Sequence, residues 1–123
     1  MTLRFSYQEG QLEMQLTRTI GPDSEPIVDR DGVIRTDDHN HPLHRVRILA
    51  NEPDRDFDTP VSLKIRTLPT LDIPRGTMVQ PAGDATVTPW VDDRTHRIAY
   101  SITADTIVPV QALIGRHQES ADA

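Results

Sequence analysis

Residues 85–110 read ATVTPWV-DDRTHR-IAYSITADTIVPV, and their pattern decides the fold class. Val87, Pro89 and Val91 alternate with Thr86, Thr88 and Trp90 over the first seven residues. Ile98, Tyr100 and Ile102 then alternate with Ala99, Ser101 and Thr103. A period of two places successive side chains on opposite faces of an extended chain, so each run is a half-buried strand. The polar DDRTHR between them cannot be buried and turns the chain, which makes the pair a hairpin. Pro89 has no N–H to donate, so this strand is expected to be an edge or bulged there.

Moving upstream, residues 77–80 predict a brief strand that the Pro81-Ala82-Gly83-Asp84 turn leads into the hairpin. Before it, Pro69, Pro74 and Gly76 break residues 68–76 into a crossing segment. A second strand pair is predicted at 43–50 and 59–67, joined by the acidic link 51–58. Val61, Leu63 and Ile65 face one way; Ser62, Lys64 and Arg66 face the other. In its partner, His44, Val46 and Ile48 oppose Arg45 and Arg47, with a bulge or double burial expected where Ile48 and Leu49 adjoin. If the apolar sides meet in one core, Arg45, Arg47, Lys64 and Arg66 form an outward cation patch, with Trp90 as a stacking platform. Arg4 and Arg18 are expected to matter less. The N-terminal residues 3–18 alternate in two runs around Gly10 and predict a further hairpin.

Residues 19–41 hold many Gly, Pro, Asp and Asn and read as a long acidic loop, within which Asp31-Gly32 closes a small hairpin. DRDG at 29–32 resembles the start of a calcium loop but lacks its later oxygen ligands. His39, His41 and His44 stand near Asp37 and Asp38, yet three side chains at that spacing cannot all point one way along a regular strand. Neither a metal nor any cofactor is expected.

Composition sets the outer limits. The chain has 123 residues, no cysteine, ten prolines and six glycines, with 36% hydrophobic and 26% charged residues. This size suits one β domain over 1–110 with a polar tail at 111–123. The absence of cysteine excludes disulfides and thiolate chemistry. No apolar run approaches a membrane span and no signal peptide is evident, so a cytoplasmic protein without membrane contact is expected. No nucleophile elbow, Gly-rich phosphate loop or HExxH occurs, and an enzyme is not expected. Six to eight short strands without a clear helix predict an all-β fold. The expected form is a small antiparallel barrel of the OB or phage single-strand-binding type, with a sandwich as second choice.

The wording of the strands also carries a resemblance. TVTPWV (86–91) with RIAYSITA (97–104), Asp38, Pro42, Val46 and Ile48 in 38–48, and VSLKI (61–65) resemble the plasmid replication, integration and excision activators of actinomycete integrative conjugative elements. The likeness spans residues 38–104; His44 stands where that family has an aromatic residue. It implies a non-catalytic accessory protein of a mobile genetic element, and the analogy to single-strand-binding barrels with the cation patch adds weak single-stranded DNA binding as an expectation. The expected partners are that DNA, a replication initiator or recombinase of the element, and a second copy of the chain as a homodimer. The alternative is a protein–protein interaction module of a plasmid or phage that acts through its acidic loops. A net charge of −6 weighs against nonspecific DNA binding, which draws on released counterions and favours basic proteins.

Overall fold

The computed structural model describes residues 4–8, 10–53, 59–94 and 96–110. The regular elements among them are β1 (Phe5–Ser6), β2 (Glu13–Leu16), β3 (His44–Val46), β4 (Ile48–Asn51), β5 (Val61–Ile65), β6 (Met78–Asp92) and β7 (Arg97–Pro109), with no helix. The expected polar tail and the tip of the acidic link, including Phe57, lie outside the described residues. No helix among the described residues is long and apolar enough to cross a membrane.

The strands form one sheet in the order β3-β5-β7-β6-β2-β4, with β1 also on β6. Its two outer members, β3 and β4, belong to the single stretch 44–51. That stretch pairs with β5 through residues 44–46 and with β2 through residues 48–51. The chain therefore closes the sheet into a nearly complete barrel by changing partner at Arg47, whose carbonyl accepts from the Thr17 N–H at 2.9 Å. Inward alternation persists through Val46, Ile48 and Ala50, so the segment pivots without the expected bulge.

The core matches the sequence alternation. Met14, Leu16, Leu63, Ile65, Val79, Val87 and Ile102 are all but inaccessible and pack in one cluster. Burying each such side chain contributes roughly 1.5–3 kcal/mol. Tyr7 closes one edge of this cluster: its hydroxyl donates to the Leu12 carbonyl and accepts from the Leu12 N–H.

Three expectations need correction. The barrel is mixed rather than antiparallel, because β5 runs parallel to β7 from Val61↔Tyr100 to Ile65↔Ala104. Residues 3–18 are not a hairpin: Phe5 pairs with Val87 and Met14 with Val79, so β1 and β2 run along the same edge of β6 as one interrupted strand. Residues 81–84 are not a turn. They lie within β6 as a register shift between Ala82 and Ala85, and the 78–92 strand is continuous. Gly83 takes φ +75° there, and a Cβ on it would overlap the Asp105 side chain. The loop at 19–41 holds no regular element and is largely ordered by its own backbone bonds.

That ordering is repetitive. Ile20 bridges Ile73, and residues 27, 35 and 43 are then tied in three passes by Ile27 N–H to Leu43 O, Arg35 N–H to Ile27 O and Leu43 N–H to Arg35 O. Between the passes lie two tight turns, 29–33 and 37–41. The turn at Asp31-Gly32 matches the sequence expectation. Together the passes form a flap over the outer face of β5, β7 and β6.

Candidate nucleic-acid interface

The outer face is built by the same alternation that fills the core. Residues paired across adjacent strands point to the same side, so rows of side chains cross the sheet. One row reads Arg45 on β3, Lys64 on β5, Thr103 on β7 and Thr86 on β6. The next reads Ser62, Ser101 and Thr88. Neither row contains a carboxylate, in a chain with 19 acidic residues.

Cations collect at the β3 end. Burial, then the charges of Arg35 on the flap and Arg45 beside it, push the Lys64 ammonium below the ordinary lysine range. Arg45 and Arg47 also line a cleft of about 720 Å³ with Arg18, opposite Ser24, Glu25 and residues 26–28. Arg18, Arg35, Arg45, Arg47 and Lys64 take part in no ion pair among the described residues. Packing like charges together with no ion pair among the described residues is costly, and an anion seated among them relieves that cost.

Of the five residues nominated from sequence, Arg45, Arg47 and Lys64 come together. Arg66 does not join them, although it points to the same side. Its Nε donates to Asp37 Oδ2 at 2.7 Å, and its Nη1 donates to Asp105 Oδ1 at 3.1 Å and to the Asp84 carbonyl at 3.3 Å. Two carboxylates neutralise it, so Arg66 clamps the flap to the sheet. Trp90 is exposed but pairs with Ala99, about 13 Å along the strand from Thr103 and two strands away from Lys64. Arg18, expected to matter less, lines the same cleft from the end of β2, and Arg35, not nominated from the sequence, enters from the flap.

Asp37 is the centre of the clamp. Its side chain is 8% exposed. Desolvation pushes its carboxyl upward, but the His41 and His39 backbone N–H groups, Arg66 and the His41 ring outweigh this. The carboxyl is held well below the usual carboxylate range. His41 Nδ1 lies 3.2 Å from Asp37 Oδ2, and the His39 and His41 rings meet edge to face at 6.3 Å. His44 belongs elsewhere: it shares the inward parity of Val46, and its Nδ1 is buried without a hydrogen-bond partner among the described residues. No stacking position on the outer face falls there.

Compared with known protein families, curated proteins and solved structures, the chain matches none.

Proposed function

We propose that this barrel is a non-catalytic accessory protein of a mobile genetic element, acting in the cytoplasm to promote replication, integration or excision by holding single-stranded DNA. The observation that carries the DNA reading is the gathering of Arg18, Arg35, Arg45, Arg47 and Lys64 from four separate segments with no ion pair among the described residues. The setting rests on the resemblance of residues 38–104 alone. A strand crossing the Arg45–Lys64 row would lie across the β-strands, the geometry by which single-strand-binding barrels use a charged groove. The net charge of −6 keeps such binding weak and dependent on low salt.

The test is fluorescence anisotropy with a labelled single-stranded oligonucleotide at low ionic strength. Each phosphate neutralised contributes about 0.7 to the log–log salt slope. Arg45→Glu and Lys64→Glu are expected to reduce both affinity and slope while leaving the thermal transition in place. Binding indifferent to both substitutions removes the reading.

One observation favours the second reading, a protein-interaction module. Trp90, Val91 and Ile98 are exposed near the tip of the β6–β7 hairpin, and Val91 pairs directly with Ile98. Apolar residues grouped at a projecting tip suit a protein partner. If no oligonucleotide binds, Val91→Asp and Ile98→Asp should abolish capture of a recombinase or initiator without unfolding the barrel.

A further inference from the structure

The cations occupy only one end of the two carboxylate-free rows. At the other end, Thr86, Thr88, Ser101 and Thr103 floor a cleft of about 400 Å³ between the sheet and the flap. They form two cross-strand pairs, Thr86 with Thr103 and Thr88 with Ser101. None of the four hydroxyls has a hydrogen-bond partner among the described residues. The flap supplies the roof through Asp37, Asp38 and His39. Asp37 is fully engaged by Arg66 and by backbone N–H groups, so it braces the roof and leaves the floor to meet a ligand. At the mouth, Arg4 and Asp38 form an exposed pair at 3.7 Å.

From these observations we infer that the hydroxyl-floored cleft seats one base of the bound strand, next to a phosphate held at Lys64. This rests on the single-strand reading above and adds to it the part of the nucleotide that the cleft takes. Three points carry it. Lys64 and Thr103 are direct partners in adjacent strands, about 4.8 Å apart, so a phosphate at the ammonium places its nucleoside over the hydroxyl floor. The cleft volume lies within the range of about 300–1,000 Å³ that small-ligand sites occupy. Each hydroxyl both donates and accepts, so the floor can meet the polar edge of any base without selecting one. The one ring among the described lining residues is the His39 imidazole in the roof, while the floor carries hydroxyls alone and meets the base edge by hydrogen bonds.

The experiment replaces the hydroxyls without disturbing the strands. Thr86→Val and Thr103→Val keep the β-branched shape and strand preference and remove only the hydrogen-bonding group. The combined variant is titrated by anisotropy against a labelled single strand and against the same strand carrying abasic sites, over a series of salt concentrations. On the intact strand, affinity should fall about tenfold at every salt concentration, with the salt slope unchanged because no phosphate contact is lost. On the abasic strand the same substitutions should cost nothing, since the group they contact is absent. Lys64→Glu should lower the slope on both strands. If the valine variant binds the intact strand as the wild type does, or loses equal affinity on both strands, the base seat is overturned and the cation track stands. If the wild-type protein binds neither strand, the track and the seat fall together.

Discussion

The turns at 29–33 and 37–41 are the same device used twice, and they behave differently. In each, an aspartate Oδ1 accepts from the N–H groups two and four residues ahead: Asp31 and Val33 in the first, His39 and His41 in the second. In each, the aspartate N–H closes onto the carbonyl four residues on, and the fourth residue of the turn has positive φ, Gly32 at 81° and Asn40 at 64°. Locally the two turns match. Asp29 stops at these bonds and stands in solvent, whereas Asp37 directs its second oxygen to Arg66, which also reaches Asp105 and the Asp84 carbonyl. One turn shapes the flap; the other fastens it to the barrel. A short aspartate turn thus becomes a tertiary clamp only when a cation from a distant strand meets its free oxygen.

Substitutions can break this pairing of turns in graded steps. Asp37→Ala should have the largest effect, because it removes the side-chain acceptor of two backbone N–H groups and leaves Arg66 facing one carboxylate instead of two. Its loss of stability in urea unfolding should be at least about twice that of Asp29→Ala. Arg66→Gln comes next, at about 1.5–3 kcal/mol, the range for hydrogen bonds to charged groups. Because it leaves Asp37 and Asp105 facing each other, Arg66→Gln should also raise the protease sensitivity of 27–43 relative to the rest of the chain. Equal sensitivity in wild type and variant would show that the clamp does not hold the flap.

Acid supplies a reversible version of the first substitution. The Asp37 carboxyl is held below its ordinary value in the folded state, so its contribution to stability is fully present above the unfolded carboxylate value near 4. That contribution should fade as pH falls from there toward the folded pKa. Asp37→Asn should flatten the acid limb of a stability–pH profile; a limb unchanged by Asp37→Asn assigns the acid loss to other carboxylates.

The exposed turn should respond less. Asp29→Ala should cost about 1 kcal/mol, comparable to losing a helix N-cap, with no effect on the flap's attachment. The smallest effect is expected at the positive-φ position of the clamped turn. Asn40→Gly relieves the left-handed conformation and should be neutral or stabilising by about 0.5 kcal/mol in thermal denaturation, whereas Gly32→Asn should cost a similar amount.

Away from the flap, His44→Phe tests the inward placement of that ring. It removes a buried nitrogen without a partner and should raise stability by about 1 kcal/mol in the same unfolding assay.

The turn at 37–41 shows why part of the candidate site escaped the sequence. Asp31-Gly32 advertises a hairpin through its glycine, whereas Asp37 to Asn40 carries the same spacing with asparagine in the left-handed position, a weaker signal. The histidines drew attention to the segment as a metal question, while its aspartate was the residue that mattered to the fold. Arg66 illustrates the opposite error. Strand parity assigns it correctly to the outer face, but parity says nothing of what waits there, and Asp37 lies 29 residues away in the chain.

The sequence by itself determined the all-β class, the inward faces of most strands and the β6–β7 hairpin, because side-chain alternation and turn chemistry act over a few residues; it missed the continuity of β6 through 81–84 and the exposure of Ile98. It also determined that Arg45 and Lys64 share the outward side, since both follow from the same period of two. Tertiary structure decided which strands met. It placed β1 and β2 in succession on one edge of β6, set β5 parallel to β7, and closed the barrel by letting residues 44–51 change partner at Arg47. It also decided which cations form no ion pair among the described residues, bringing Arg18 and Arg35 toward the site and withdrawing Arg66 from it. Hydrogen-bond partners and counter-ions are chosen through space, between residues whose separation along the chain leaves no periodic trace.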